Sequence, residues 1–154
     1  KKYYQNDSFD AKKVARVMAK NVPVSLKYSA ELIREIKGQK VDKVEGFLNR
    51  IIEMKDHLPL RKYNKKVAHR KGEAKSYTKT GRYPIRTAKA FLKLLGNLKA
   101  NADYKGLNAE NLLIAHAFVS EGFRRYASQP QGRISGKRRR QKAVHIEIVG
   151  LEAA

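Results

Sequence analysis

Three stretches of the chain carry apolar side chains every three or four residues, and three others carry them at alternate positions or in an unbroken run. Leu26, Ala30, Ile33 and Ile36 share one face of a helix expected over about 26–37, with Lys27, Glu31, Arg34 and Glu35 on the opposite face. Ser25 suits its N-cap and Gly38 its stop. A second helix is expected over about 41–56, where Val44, Leu48, Ile51 and Lys55 stack and Phe47 and Met54 widen the apolar face. The third runs over about 84–105, with Pro84 in its first turn and Gly106 just past its end. Ile85, Ala88, Leu92, Leu95 and Ala102 repeat along one side of it, broadened by Phe91 and Leu98. Arg86, Lys89, Lys93, Asn97 and Asn101 fall on the other side. Gly96 lies mid-helix, where glycine costs about 1 kcal/mol against alanine. It predicts a close approach by another backbone.

The remaining patterns are strands. Val14 to Lys20 alternates and reads as a short strand, after a loosely held arm of residues 1–13. Leu112 to Val119 is apolar on both faces apart from His116, as in a central strand. Ala143 to Gly150 alternates Val144, Ile146 and Ile148 against His145, Glu147 and Val149, a strand with one wetter face. Between these two lies a polar stretch, about 120–142, punctuated by Gly122, Pro130, Gly132 and Gly136. Strands on either side of it predict a long antiparallel hairpin that runs past the core. The expected fold class is α+β: a single compact domain over 1–154, with three helices and a small antiparallel sheet. Two basic extensions complete it, an insert at about 57–83 and the protruding β-hairpin.

Charge changes this picture from a fold into a function class. The 154 residues include 35 lysines and arginines against 14 acids, a formal net charge of +21. Residues 57–93 hold twelve basic groups against the single Glu73, and residues 123–142 hold eight with no acid. Two such runs between well-patterned elements predict a polyanionic partner. At 42% hydrophobic residues the chain still has the means to build a core. It has no cysteine, which excludes a disulfide scaffold, a thiolate zinc site and a thiol nucleophile, and fits a reducing compartment. No stretch carries the apolar run of a signal peptide or a membrane span, so no membrane association is expected. The start at Lys1 predicts a short preceding piece.

No catalytic constellation stands out. His57, His69, His116 and His145 have no i, i+4 pairing, so no metal and no other cofactor is expected. His116 and His145 read as ordinary sheet residues. The acids are scattered, and neither a P-loop nor a Gly-x-Gly-x-x-Gly turn is present.

The basic windows are instead composed as a nucleic-acid surface. Arg61, Lys62, Lys65, Lys66, Arg70 and Lys71 suit phosphates, and Tyr63, Asn64 and His69 among them suit bases and 2′-hydroxyls. The window continues through Lys75, Tyr77, Lys79 and Arg82 to Tyr83, and leads into the basic stripe Arg86, Lys89 and Lys93. The second comprises Arg124, Arg125 and Tyr126, then Arg133, Lys137, Arg138, Arg139, Arg140 and Lys142. A narrow ribbon suits the irregular clefts of folded RNA better than the regular groove of DNA. The alternative is a DNA-architectural protein with basic β-arms, in which Pro130 would wedge between base steps. The 57–83 insert has no role there.

Several strings carry a resemblance: Ser25 with Lys27; Arg61-Lys62-Tyr63-Asn64-Lys65-Lys66-Val67-Ala68-His69-Arg70-Lys71-Gly72; Gly81-Arg82-Tyr83-Pro84; Ala88-Lys89; and Asn97 to Leu107. Arg125-Tyr126, Gly132-Arg133 and His145-Ile146-Glu147-Ile148 complete the set. Over roughly residues 14–150 the chain resembles the universal ribosomal large-subunit protein number twenty-two family, seventeen in eukaryotic counting, in its archaeal/eukaryotic form. The resemblance implies a non-enzymatic, cytoplasmic constituent of the large ribosomal subunit that binds its ribosomal RNA. It implies a hairpin at about 120–142 lining the nascent-peptide exit tunnel, with Ser128, Gln129, Pro130, Gln131, Gly132 and Arg133 at its tip. The implied partners are that RNA, neighbouring large-subunit proteins (protein four near the tunnel constriction among them) and the nascent polypeptide. The chain departs from the family's usual tip, Arg-Tyr-Arg-Pro-Arg-Ala-x-Gly-Arg. Ala127 and Gln129 stand for two of its basic residues, and the proline is moved two places to Pro130.

Overall fold

The computed structural model describes residues 4–6, 8–70 and 79–152. In chain order these form β1 (Val14–Val22), α1 (Leu26–Ile36), α2 (Val41–Ile52), β2 (Leu58–Pro59), β3 (Gly81–Arg82), α3 (Ile85–Tyr104), β4 (Leu112–Glu121), β5 (Arg125–Ser128), β6 (Arg138–Gln141) and β7 (Val144–Glu152). A single 3₁₀ turn at Ala109–Asn111 leads into β4. The α+β expectation holds. The main sheet is antiparallel with order β1-β7-β4, and β2–β3 and β5–β6 are separate two-stranded ladders. The basic stretch between β4 and β7 is a hairpin, in register from Arg125 opposite Gln141 to Ser128 opposite Arg138.

The inner face of the sheet presents Ala15, Val17, Ile114, Ala117, Ile146 and Ile148 to the helices. Leu32, Ile33 and Ile36 of α1 and Phe91, Leu95, Leu98 and Ala102 of α3 close over that face, and Val44, Leu48 and Ile51 of α2 extend the same core. Each fully buried Leu, Ile or Phe contributes roughly 1.5–3 kcal/mol by leaving water. Lys99 of α3 donates to Asp42 at 2.7 Å and Glu45 at 2.8 Å, tying α3 to the start of α2.

Several expectations are corrected by how the elements pack. The centre of the sheet is β7, and the Leu112–Val119 segment lies at an edge. Leu112, Ile114 and Ala117 on its inner face are buried in the core, whereas Leu113 and Phe118 on the other face are only half-buried, and the loop after α1 lies along its edge. Gly38 donates to the Ile114 carbonyl at 2.9 Å and Ile114 to that of Gln39 at 3.0 Å, so the edge is covered. Correspondingly, the outer face of β7 is not wet. Val149 is fully buried and Glu147 nearly so. The described part of the N-terminal arm lies over that face: Gln5 donates its amide to Glu147 at 3.0 Å, and Arg16 reaches the Phe9 carbonyl and the Tyr4 ring. This described part of the arm is held rather than loose.

In α1 the buried face is Ser29, Leu32, Ile33 and Ile36, and Glu31 is buried with it. The second helix ends at Ile52, four residues early. Met54 takes a left-handed conformation (φ 59°), and its amide and that of Lys55 return to the carbonyls of Ile51 and Arg50, at 3.1 and 2.9 Å. This is a Schellman stop with methionine where glycine is usual. It leaves Met54 and Lys55 exposed instead of on the apolar stripe. Pro84 is the N-cap of α3, not a first-turn residue. The close approach expected at Gly96 is absent: a Cβ there would meet nothing within 4 Å. Gly96→Ala should therefore stabilise the fold by up to ~1 kcal/mol, a rise in Tm of about 2–4 °C for a chain this size. Thermal unfolding followed by circular dichroism checks this, and a fall in Tm would contradict the open environment at Gly96.

Candidate nucleic-acid interface

The basic insert has few apolar side chains of its own and borrows the core. Leu58 and Leu60 are buried there, while β2 pairs Leu58 with Arg82 and Pro59 with Gly81 of β3. Thr80 donates its hydroxyl to the Leu60 carbonyl at 3.1 Å, and the Arg70 amide donates to that of Lys79 at 2.8 Å. His57 lies directly over Gly81. A Cβ on Gly81 would fall 2.0 Å from the imidazole Cδ2, so no other residue fits without moving that ring.

The loop that β2 opens is pinned by one carboxylate. Glu31, 2% exposed, accepts the backbone amides of Lys62 at 2.7 Å and Tyr63 at 2.9 Å with the same oxygen, Oε1. Next to it Glu35 pairs with Arg61 at 3.0 Å. These anchors place Tyr63 between two ammonium groups, Lys27 of α1 at 5.5 Å and Lys62 at 5.8 Å from the ring centroid. The Arg70 guanidinium stacks 5.4 Å from the Tyr83 ring and donates to the Gly81 carbonyl at 3.0 Å, while His57 meets that ring edge-on. Asn64, Lys65, Lys66 and His69 project from the loop into solvent. Lys71, like Lys75 and Tyr77, lies outside the described residues.

The root of the hairpin is held just as firmly. Asn21, left-handed at φ 55°, accepts the Phe123 amide on Oδ1 at 2.9 Å, and its own amide donates to His145 Nδ1 at 3.1 Å. Glu121 accepts from the Arg124 Nε at 2.9 Å and is paired with Arg140 across the ladder. The Arg124 hydrogen bond, with the charge of both guanidinium groups, holds the Glu121 carboxyl below the usual carboxylate range. Beyond that root every residue of β5 and β6 is exposed. Arg138 stacks on the Tyr126 ring at 5.6 Å, and Arg139 donates to Gln129 at 2.6 Å. Arg133 and Lys137 stand free of the ladder in the turn, with Ser128, Gln129, Pro130, Gln131 and Gly132 around them.

An open cleft of about 900 Å³ joins these parts. Ser25, Tyr83, Arg86, Arg125, Arg140 and Lys142 all line it, so residues far apart in sequence meet between the starts of α1 and α3 and the hairpin root. The Ser25 hydroxyl makes no capping bond. Lys89 and Lys93 continue from Arg86 along the exposed face of α3, whereas none of the tip residues Ser128 to Arg133 lines the cleft. The histidines behave as sheet and loop residues. Burial, reinforced by Lys37, lowers the pKa of His116, and no group of three or more His, Asp or Glu among the described residues is placed to hold a metal. Among the described residues no helix is long and apolar enough to cross a membrane.

Residues 17–150 match the family model of ribosomal protein L22p/L17e. The chain belongs to that family. It is 42% identical over 142 residues to the large ribosomal subunit protein uL22 of Archaeoglobus fulgidus, covering 91% of this chain and 89% of the relative. The uL22 protein of Methanocaldococcus jannaschii is 42% identical over 139 residues, 89% of this chain and 86% of its own length. That of Thermofilum pendens is 39% identical over 145 residues, 93% and 92% of the two chains. The family and its archaeal character are those that the sequence strings resemble.

Sequence reasoning missed the residues that hold the surface in place. In the sequence pattern Glu31 falls on the polar face of its helix, because its partners are backbone amides, which leave no trace in a charge pattern. Asn21 and Glu121 left only weak signals: an asparagine between a strand and Pro23, and the last acid before the basic ribbon. Phe123, two-thirds exposed at the cleft, escaped because it belongs to no periodic stripe. Removing the Glu31 carboxylate strands two amide donors, so Glu31→Ala should cost roughly 2–4 kcal/mol. Glu31→Gln keeps an acceptor oxygen and should cost clearly less. Urea unfolding of both variants measures this, and equal losses would mean that the amide bonds contribute little.

Proposed function

We propose that this chain is a structural constituent of the large ribosomal subunit that binds ribosomal RNA through the face just described. One observation carries the reading: among the described residues, cations from the start of α1, the 61–70 loop, the start of α3 and the hairpin root are gathered at one end of the core. Carboxylates there anchor the backbone and the roots of the extensions, leaving the outer lysines and arginines for phosphates. The names of the archaeal relatives support the assembly. In this reading Lys27, Arg61 to Arg70, Lys71, Arg82, Arg86, Lys89 and Lys93 contact RNA at the subunit surface, with Ser25, Tyr63, Asn64, His69 and Tyr83 completing the contacts. Arg124, Arg125, Tyr126 and Arg138 to Lys142 contact RNA along the hairpin. Its tip, Ser128 to Arg133, reaches the wall of the nascent-peptide tunnel near protein four. The role is architectural, needs no cofactor, and belongs to the cytoplasmic ribosome.

Sedimentation of a cell extract through a moderate-salt wash tests the assembly. The chain should travel with large subunits, and travel with the nucleoid would favour the DNA-architectural alternative. The electrostatic part has its own test. Replacing Arg86, Lys89 and Lys93 by alanine should leave Tm within a few degrees, since all three are exposed and alanine favours helix. The slope of log affinity for ribosomal RNA against log salt should fall by about two units, at ~0.7–0.9 per lost phosphate contact. An unchanged slope, measured by filter binding, would remove these residues from the interface.

A further inference from the structure

The cleft at the hairpin root has features that phosphate neutralisation alone does not explain. Its volume lies in the range of small-ligand sites, and its wall includes an aromatic ring that the core does not use. Phe123 is 67% exposed, yet its backbone is fixed. Its amide is bound by Asn21 Oδ1 at 2.9 Å, and the preceding Gly122 donates to the Ala143 carbonyl at 2.8 Å. A Cβ on Gly122 would sit 2.8 Å from that same Asn21 oxygen, so the chain passes too close for any side chain. The fold thus holds an apolar ring at the edge of a cleft whose other walls carry Arg86, Arg125 and Lys142. Arg140, also on the wall, is committed to Glu121. A flat ring in the same cleft as several cations is complementary to a base joined to its phosphate, and a regular RNA helix presents no free base face to it.

We propose that this cleft receives a single nucleotide splayed out of the ribosomal RNA, its base stacked on Phe123 and its phosphate set against Arg86 and Arg125. The proposal rests on the RNA-binding reading above and adds a specific subsite to it. Phe123 carries no charge, so its contribution must be separable from the salt-dependent part of binding.

The test uses the full chain, deproteinised large-subunit ribosomal RNA and two variants. Phe123→Ala should keep the wild-type Tm, because the ring is exposed, but bind about tenfold more weakly with an unchanged salt slope. Phe123→Trp should bind like the wild type. Its indole would be the only one in the chain, and its fluorescence should be quenched by the stacked base. Wild-type affinity for Phe123→Ala would overturn the proposal while leaving the RNA-binding reading intact. So would indole emission that brightens and shifts to the blue in assembled subunits, which would show the ring packed against a neighbouring protein. Failure of the wild type itself to bind the RNA would overturn both.

Discussion

Mutual repulsion among its cations is the constraint around which this molecule is built. A net charge of +21 on 154 residues has to be held against a core of ordinary size. Each cationic extension is fastened at its root, and beyond that root the described strands of the hairpin are fully exposed. At the insert the fastening is Leu58 and Leu60 in the core, with Glu31 on two backbone amides and Glu35 on Arg61. At the hairpin it is Asn21 on the Phe123 amide and Glu121 between Arg124 and Arg140. Exposed ion pairs contribute little to stability by themselves. Their value here is positional, since they fix where the ribbon leaves the sheet.

The core determines which side of the molecule is cationic. With β7 in the middle of the sheet, β4 and β7 leave the same end as a hairpin, and the start of α3 arrives beside them. α1 starts there too, so Ser25, Arg86 and the hairpin root meet although they are separated by most of the chain. The acids on α2 face elsewhere and bind Lys99. The described N-terminal arm covers the outer face of the sheet. Fold and interface are therefore one design: the elements that bury the core are those whose ends display the charge.

Much of this was legible in the sequence. The apolar periodicity located all three helices and the three long strands, because burial of a stripe is a local signal at a fixed repeat. The second charge window falls on the β5–β6 hairpin, whereas much of the first, residues 71–78, lies outside the described residues. What stayed hidden was non-local. Strand order could not be read from Leu112–Val119, because a loop bonded along its edge satisfies the backbone there as a flanking strand would, and no side-chain pattern tells the two apart. Glu31 carries its meaning only once Lys62 and Tyr63 are seen to end beside it. The left-handed Met54 breaks the usual rule for a helix stop, so the second helix looked longer than it is. Gly96 erred in the opposite direction, being a glycine that nothing in the structure requires.

The central claim is that the extensions are rooted in the protein but completed by RNA. Limited trypsin digestion of the free chain and of the chain within large subunits addresses it most directly. In the free chain, cleavage should begin in the hairpin turn, at Arg133 and Lys137, while the fragments retain the β1-β7-β4 sheet and α3 intact. Within subunits the same bonds should resist digestion at equal protease concentration. A turn that resists trypsin in the free chain, or one that is cut equally fast in the subunit, would contradict the account.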